Sequence, residues 1–519
     1  MSAKTRYDNL SSDRSQFLNE AEQASKLTLP YLIRGHEEHH SGMKNLLTPY
    51  QSVGAKGVVT LASKLMLALL PIQTSFFKLQ LDESQLGQEM GPEIKSELDL
   101  SFAKVERIIL ESIAATDDRV AVHQALLHLV VGGNALVFMG RKGLKVYPLN
   151  RYVVDRDGNG NVIEIVTKER ISKKLIEDKL PENYLQEQTV SDTYGDHDDE
   201  CDVYTHVRRE NNRFVWHQEV YDYKLKGSEG KAPEATNPWI PLRFNTVDGE
   251  SYGRGRVGQF IGDLKSLEAL TQALVEGSAA AAKVVFVVNP SSTTKPATLA
   301  NAGNGAIIQG RPDDVAVIQV GKTADFGTAY QMTSVLERRL SEAFLILNVR
   351  QSERTTAEEV RMTQMELEQQ LGGLFSLLTV EFLIPYLDRT LHMLKRTNQL
   401  PKYPKDLVRP QVVAGINALG RGQDQQSLTM FIQTIAQTLG PEALLKFINA
   451  SEAIKRLAAA QGIEVLNLVK SEEEMAQEMQ QQQAAATAQS MADQMGQLAN
   501  APLMDPSKNP QITPPPEDG

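Results

Sequence analysis

Apolar residues recur at helical spacing over most of the first 150 residues of the chain. The runs 58–70, 94–113 and 120–131 each place their apolar side chains on one stripe, as a helix packed on one side requires. The pattern changes between residues 144 and 225, where runs of β-branched and aromatic residues replace it. These patterns predict helices first and then a sheet, and therefore a body of α+β character.

Two short segments in the sheet region have the composition of β-hairpin turns. Asp157-Gly158-Asn159-Gly160 separates two β-type runs, and Asn211-Asn212 separates another two. Gly and Asn tolerate the left-handed backbone conformation that tight hairpin turns need. We therefore predict two hairpins, one turning at each segment.

A second layer begins near residue 256 and has the order helix, small β module, helix. Residues 257–283 and 328–347 are helical runs, and 284–288, 306–309 and 315–320 are short β-type runs between them. At about 1.5 Å per residue, each helix is roughly 30–40 Å long. The pattern predicts a stalk of two helices that carries a compact β tip. Their apolar stripes are Phe260, Leu264, Leu267 and Leu274, and Leu336, Leu340, Phe344 and Leu347.

The remainder of the chain reads as a polar link followed mostly by helices. The link 348–356 ends in a helix-start signal, and helical patterns with breaks run through 357–405 and 406–469. Residues 471–500 favour a helix but have little to bury, and the proline-rich stretch 501–519 has a composition typical of disorder.

Charge and composition limit the function classes that the chain can serve. It has 519 residues with 54 basic and 65 acidic side chains, a formal net charge of −11. A protein that holds DNA by neutralising phosphates usually has a basic excess, so any contact with DNA here must be local or weak. The lone cysteine, Cys201, excludes an internal disulfide and multi-cysteine zinc sites. No apolar stretch approaches the ~20 residues of a membrane helix, so we expect no membrane insertion.

Two motifs allow an enzyme as an alternative. His36-Glu37-Glu38-His39-His40 matches the H-E-x-x-H pattern of zinc proteases, but no third ligand stands out. Residues 253–258, GRGRVG, match the dinucleotide-binding G-x-G-x-x-G, but no buried strand precedes them. A polar histidine loop and a flexible glycine joint before the long helix are the favoured interpretations. We therefore predict a protein that is not an enzyme and needs no cofactor.

Arginines and glutamates alternate between residues 337 and 361. On a monomer this pattern is an ordinary solvated face, whereas in a ring it provides ion pairs between subunits. We favour such a structural role for Arg338 and Arg339. For Arg350 and Arg354, on the polar link, ion pairs and contacts with phosphates stay equally open.

Three segments in this order resemble one protein family. They are SKLMLALLPIQTSFFKLQL at 63–81, GESYGRGRVGQFIGDLKSLEAL at 249–270 and ERTTAEEVRMTQMELEQQLGG at 353–373. Together with the helix–β–helix order, they resemble the portal, or head-to-tail connector, proteins of short-tailed bacteriophages related to T7. The resemblance covers about residues 5–470.

The resemblance implies the portal fold, predominantly helical α+β, with a wing, a stem, a clip, a crown and a C-terminal barrel. The implied assignment is 1–256 for the N-terminal part of the wing, 257–283 for the first stem helix, 284–324 for the clip, 325–347 for the second stem helix, 348–356 for the channel loop, 357–405 for the wing helices, 406–470 for the crown, 471–500 for the barrel helix and 501–519 for a disordered tail.

The resemblance also implies a function and its partners. Twelve copies would form a ring at the unique capsid vertex, through which double-stranded DNA passes, without sequence specificity, during packaging and ejection. The terminase motor and later a tail adaptor would dock on the clip, and capsid and internal core or scaffold proteins would also be partners. The expected location is the virion, with assembly in the host cytoplasm. The remaining alternative is a capsid scaffold or adaptor that forms no channel.

Basic and polar residues of the stem, link and clip are the candidate site residues. A few cations could guide DNA without trapping it, because salt screens the repulsion by the acidic ring beyond roughly 8 Å. The candidates for the DNA channel are Arg350, Arg354, Gln351, Arg338 and Arg339, and those for partner docking on the clip are Lys295, Arg311 and Lys322.

Overall fold

The chain divides into two compact units, Met1–Leu419 and Gly420–Gly519. The computed structural model of the protein describes residues 2–34, 47–71, 76–81, 92–141, 143–181, 200–281, 285–291, 294–303, 305–318, 323–346, 362, 365, 369–370, 373–400, 410–414, 420–440, 453–454 and 491.

Four helices form most of the N-terminal region. They are α1 (Ala3–Lys26), α2 (Val53–Leu69), α3 (Pro92–Ala114) and α4 (Asp118–Gly132). The last three confirm the predicted helices. The sequence pattern missed α1, because its buried face consists partly of alanines and an arginine and so lacks a strong apolar stripe.

The strands of the first unit form two larger sheets. The first has the order β10–β2–β3, and the second has the order β4–β5–β6–β7–β8, with β9 also paired to β7. Pairing within both sheets is antiparallel. The strands are β2 (Asn134–Gly140), β3 (Gly143–Tyr147), β4 (Tyr152–Arg156), β5 (Val162–Ser172), β6 (Glu200–Glu210), β7 (Arg213–Val220), β8 (Tyr223–Lys224), β9 (Gly230–Pro233) and β10 (Trp239–Arg243).

Both predicted hairpins are present. The β4–β5 turn is held by Asp157, whose Oδ1 accepts hydrogen bonds from the amides of Asn159 at 3.0 Å and Asn161 at 2.7 Å. The β6–β7 turn places Asn211 and Asn212 at φ values of 47° and 60°. Two consecutive left-handed residues are the backbone of a tight hairpin turn, as the Asn-Asn sequence predicts.

Buried polar contacts hold α1 on the second sheet. The buried Arg14 donates hydrogen bonds to the carbonyls of Leu149 at 3.2 Å and Tyr152 at 2.9 Å. Arg6 donates to Glu164 at 2.6 Å, and His206 pairs with the same carboxylate. Burial acts to raise the pKa of Glu164, but the hydrogen bonds from His206 and Arg6 outweigh it and hold that pKa below its usual value. The carboxylate therefore stays ionised and fixes α1 on the sheet.

The predicted stalk is present as two antiparallel helices. The first begins with the short helix α5 (Arg256–Gln259), breaks at Phe260 and continues as α6 (Ile261–Ala281); the second is α8 (Thr323–Ala343). Leu264 and Leu267 of α6 are buried with Leu340 of α8 and with Phe344, and Phe260 lies 6.0 Å from Phe344 between ring centroids. Most of the stripe residues read from the sequence thus form the contact between the helices. Leu274 is only partly buried and lies outside this core, and Leu347 lies outside the described residues.

The tip of the stalk contains a two-stranded ribbon. β11 (Val285–Val288) pairs antiparallel with β12 (Val315–Ile318), and the short helix α7 (Pro296–Ala300) lies between them in sequence. The expected strand at 306–309 is wrong, since its residues adopt no regular structure. Glycines at 303, 305 and 310 flank this stretch, and Ala306 and Ile307 are exposed. A pleated run needs a partner strand and a buried face, and this stretch has neither.

The first helices beyond the link belong to the first unit and pack on its core. They are α9 (Leu374–Leu378), a π-helical turn (Thr379–Leu383) and α10 (Ile384–Arg396). The π-helical turn carries Glu381, which forms a largely buried ion pair of 2.6 Å with Arg243 of β10. This pair joins the segment after the link to the first sheet.

One strand corrects the helical prediction for residues 406–469. β13 (Pro410–Ala414) pairs with β1 (Phe77–Leu81), so these five residues form a strand of the first unit and not a helix. Its partner is more than 300 residues earlier in the chain, and the local pattern gives no sign of such a pairing. In the second unit, α11 (Gly420–Leu439) agrees with the predicted helical character.

None of the helices that the structure describes combines the length and the apolar character that crossing a membrane requires.

The stem contact can be tested by shortening its buried leucines. Leu264→Ala and Leu340→Ala should each lower the free energy of unfolding of the isolated subunit by about 2–5 kcal/mol, because each removes a fully buried side chain. The matched control is Val335→Ala, whose side chain on α8 is 47% exposed, and it should change stability by less than about 0.5 kcal/mol. Urea unfolding followed by circular dichroism measures both. Equal effects of the leucine and control variants would contradict the packing described.

Candidate functional site

Three glycines bring the backbone of the body and the start of the stalk into direct contact. Gly133 ends α4 with a left-handed φ of 75°, and a Cβ there would lie 2.5 Å from the carbonyl carbon of Arg254. A Cβ on Gly255 would lie 2.5 Å from the carbonyl oxygen of Val131. Real Cβ atoms do not approach that closely, so the contact requires glycine. We call this contact between Gly133, Gly253 and Gly255 the stem root.

Hydrogen bonds fix the stem root further. The side chain of Asn134 donates to the carbonyl of Gly253 and accepts from its amide, both at 2.7 Å. The amide of Arg254 donates to the carbonyl of Asn245 at 2.9 Å. The G-x-G-x-x-G segment is therefore a packed joint, not the flexible one that its composition suggested. A dinucleotide site uses free backbone amides to bind phosphates, and the amides of Gly253 and Arg254 already have partners.

Arg256 joins the two stalk helices at their base. Its Nε and Nη2 donate to the carbonyl of Ala343, the last residue of α8, at 3.3 and 3.1 Å. The guanidinium also lies 4.9 Å from the ring centroid of Phe260. Burial lowers the pKa of Arg256 below its usual value, but an arginine remains charged. A cation at the C-terminus of a helix is favoured by the exposed carbonyls and by the helix dipole.

The end of α8 adopts a strained conformation against α2. Leu345 has a left-handed φ of 55° although it is not glycine, and it is buried. The amide of Ile346 donates to the carbonyl of Ser341 at 2.8 Å, which closes the helix end. Phe344 packs on Gly57 so tightly that a Cβ there would lie 2.7 Å from its ring. The chain thus leaves the second stalk helix, just before the link, in a direction that core packing enforces.

The two candidate arginines of the second stalk helix differ in their surroundings. Nη2 of Arg339 forms an ion pair of 3.0 Å with Asp263 on α6, which links the two helices within one subunit. Arg338 is exposed and forms no ion pair with a residue that the structure describes. The sequence predicted the same structural role for both arginines. In the fold their surroundings differ, because side chains at neighbouring helical positions point about 100° apart.

The remaining channel candidates, Arg350, Gln351 and Arg354, lie outside the described residues, as do Lys322 and the histidine motif 36–40.

Lys295 and Arg311, the candidates for partner docking, are exposed at the same end of the stalk tip. Thr294 is buried against Gly310, and the carboxylate of Asp314 accepts hydrogen bonds from Thr294 Oγ1 at 3.3 Å and from the amide of Arg311 at 3.1 Å. Asp314 therefore serves the loop, and the two cations flank the contact. An open cavity of about 410 Å³ lies nearby, lined by Ala297, Thr298, Asn301, Ala302, Ala306, Ile307 and Ile308.

Histidines and acidic residues in the described parts of the chain form no group of three or more that could hold a metal ion. His128 lies buried in α4, and burial lowers its pKa to about 4. His123, on the same helix, has its pKa lowered by burial and lies 3.5 Å from Ser63 Oγ. Both histidines therefore contribute to the packing of the apolar helix α4.

The sequence matches a known family over most of its length. Residues 1–466 match the family described as bacteriophage head to tail connecting protein. The chain is 36% identical over 511 residues to the portal protein of Escherichia phage T7, a match that covers 95% of this chain and 94% of that protein. It is 38% identical over 495 residues to the portal protein of Enterobacteria phage T3, covering 93% and 91%.

Among solved structures, the fold is similar to a chain of the neck of an empty GTA particle, at a TM-score of 0.38 and 12% identity. The match covers 80% of this chain and 90% of that one. A likeness at this score adds nothing to the argument.

The stem root can be tested with two glycines that lie seven residues apart. Gly255→Ala should lower the free energy of unfolding by about 1–3 kcal/mol, because its Cβ meets backbone that cannot move aside. Gly262→Ala, in α6, meets open space and should raise stability by up to about 1 kcal/mol, because alanine favours a helix. Thermal and urea unfolding of the isolated subunit measure both. An unchanged Gly255→Ala variant would contradict the close contact.

Proposed function

Because the chain belongs to the bacteriophage head to tail connecting protein family, we propose that it is a portal subunit through which viral DNA enters and leaves the capsid. The observation that carries this proposal is the match to two portal proteins over more than nine-tenths of the chain. Its role is structural rather than enzymatic, and its place is the head–tail junction of the virion. We assign its assembly stage to the host cytoplasm.

A ring of twelve copies would cover the apolar side chains that the stalk exposes. The two stalk helices bury one side against each other, while Val275, Tyr330, Met332 and Val335 remain exposed on their outer sides. Isolated surface apolar residues are common, but four on one narrow two-helix projection favour cover by neighbouring stalks. Cyclic symmetry would place the α8 side of one stalk beside the α6 side of the next.

The proposed channel would guide DNA with few cations. Each phosphate that a channel wall held tightly would have to be released before DNA could slide. A net charge of −11 per chain disfavours such holding, and local cations would keep DNA centred. Arg338 is the stalk residue best placed for this role, because Arg339 is occupied by Asp263. Arg350, Gln351 and Arg354 of the proposed channel loop complete the set.

We place the docking of the terminase motor, and later of a tail adaptor, on the clip. Lys295 and Arg311 are exposed there, and Lys322 belongs to the same segment by sequence. Exposed cations on such a projecting tip fit a partner surface that presents carboxylates. Capsid and internal core or scaffold proteins would contact the wing.

The helix bounds refine the proposed domain assignment. We propose that the first stem helix comprises α5 and α6, the second comprises α8, and the clip lies between Ala281 and Thr323. The wing would include the two larger sheets, the N-terminal helices and the helices after the link, together with the pair β1–β13. We assign the crown to the second unit, where α11 begins at Gly420.

Electron microscopy of the purified oligomer tests the portal assignment. We expect rings with a central bore wide enough for double-stranded DNA, because side-by-side stalks leave an open axis. Particles without a bore would refute the channel and favour the scaffold or adaptor alternative. Class averages along the ring axis would also count the copies.

The two stalk arginines form a matched pair for testing the channel. Arg338→Glu should leave the melting temperature of the ring unchanged but reduce the DNA packaged per capsid, because it removes a cation that forms no ion pair with any described residue. Arg339→Glu should lower the stability of the subunit, because it breaks a pair worth about 0.2–1 kcal/mol and opposes two carboxylates. Rings that fail to form with Arg338→Glu would identify Arg338 as an interface residue instead.

A further inference from the structure

The ribbon at the tip of the stalk leaves both of its long edges open. β11 and β12 form a sheet of two strands with four residue pairs, from Val285 with Ile318 to Val288 with Val315. Among the residues that the structure describes, no third strand pairs with either edge. Two-stranded ribbons of this length are at best marginally stable in water.

The register identifies which backbone groups point to the open edges. The amide of Asn289 donates to the carbonyl of Asp314 at 2.9 Å, so these two residues form a hydrogen-bonded pair. In an antiparallel ribbon, hydrogen-bonded and non-hydrogen-bonded pairs alternate. The amides of residues 285, 287, 316 and 318 therefore point inward, to the partner strand. Those of residues 286 and 288 on one edge, and of 315 and 317 on the other, point outward.

The sequence of the ribbon lacks the features that usually protect an open edge. Natural edges carry lysine, proline, inward-pointing charges or bulges, which prevent pairing with another chain. Here the strands read VFVV and VAVI, with no charge and no proline, and the register has no bulge. Such strands favour pairing with another strand.

The side chains that the structure describes between residues 285 and 318 form no buried apolar core beneath the ribbon. Of the residues between 285 and 318 whose side chains the structure describes, only Thr294 is buried. Val287 is 43% exposed, and Ile307 is fully exposed. The described side chains of the tip therefore give the ribbon little packing support.

We propose that the open edge of β11 pairs with the open edge of β12 in the next copy of this chain, so that the clips form one continuous sheet around the ring. This proposal rests on the ring of the proposed function. Each subunit offers one edge of each kind, and a head-to-tail ring brings the two kinds together at every interface. Backbone hydrogen bonds then replace those that water makes with the open edges.

A second copy fits the edges better than a strand from another protein. A foreign protein would have to insert one strand into every gap between clips, whereas the neighbouring clip is already present there. No charged side chain on the strands opposes a copy of the same sequence. The exposed apolar residues of the stalk, among them Val275 and Tyr330, continue the same proposed contact away from the tip.

Hydrogen–deuterium exchange of assembled rings, with fragmentation that resolves single residues, tests the pairing. The inward amides of residues 285, 287, 316 and 318 are the internal control, because their slow exchange shows that the ribbon itself has formed. We expect the outward amides of residues 286, 288, 315 and 317 to exchange as slowly as the control amides. Outward amides that exchange as fast as an unstructured peptide, in rings whose inward amides are protected, would overturn the proposal.

Two proline variants separate this pairing from the fold of the clip itself. Val288→Pro removes an outward donor, so we expect rings in which the inward amides stay protected while residues 315 and 317 lose protection. Val287→Pro removes an inward donor and should abolish protection of the inward amides as well. Unchanged protection at 315 and 317 in the Val288→Pro ring would overturn the proposal.

The outcomes also separate this inference from the proposed function. Absence of rings in micrographs of the wild-type protein would refute the portal assignment and the ribbon pairing together. Rings with a bore but with rapidly exchanging edge amides would leave the portal assignment intact and refute the pairing alone. Protection of the edges only after a partner protein is added would assign them to that partner instead.

Discussion

The close backbone contact at the stem root is the constraint on which the stalk depends. Gly255 lies against the carbonyl of Val131, and Gly133 lies against the backbone of Arg254, at distances that no side chain permits. Arg256 follows at once and binds the last carbonyl of α8, so the start of one helix and the end of the other are held at the same place. Phe344 packs on Gly57 of α2 beside this root, and Glu268 of α6 accepts a hydrogen bond from the amide of Tyr50 at 2.9 Å. The direction of the helix pair is therefore set at its base.

The stalk helices are packed on one side only, and this one-sided packing relates the stem root to assembly. The base of the stalk is well buried around Leu264 and Leu340, whereas its outer sides and the clip expose apolar side chains and open strand edges. Such a subunit has a well-packed body, while its projecting part exposes apolar side chains and unpaired strand edges. Association of copies would complete the stalk and the tip, and the proposed ring supplies two neighbours for each.

Charge has different roles in different parts of the chain. Within the subunit, cations such as Arg14, Arg243 and Arg339 are engaged with carbonyls or carboxylates and hold elements together. The exposed cations Arg338, Lys295 and Arg311 face solvent instead, against an overall charge of −11. A net negative charge suits the proposed conduit, because the chain repels DNA on average while individual exposed cations would guide it locally.

The sequence by itself determined the elements whose signals are local, and only the tertiary structure decided those that depend on distant partners. Helical spacing predicted α2, α3, α4 and the stalk helices, and turn chemistry predicted both hairpins, because each signal lies within a few residues. Three different segments in the right order were enough to suggest the family, and the family match over residues 1–466 confirms it. The strand β13 and the packed role of Gly255 could not be read locally, since their partners β1 and Val131 lie more than 100 residues away. The same reason explains why Arg338 and Arg339 have different surroundings. The two residues are adjacent and chemically identical, but the fold places Asp263 beside Arg339.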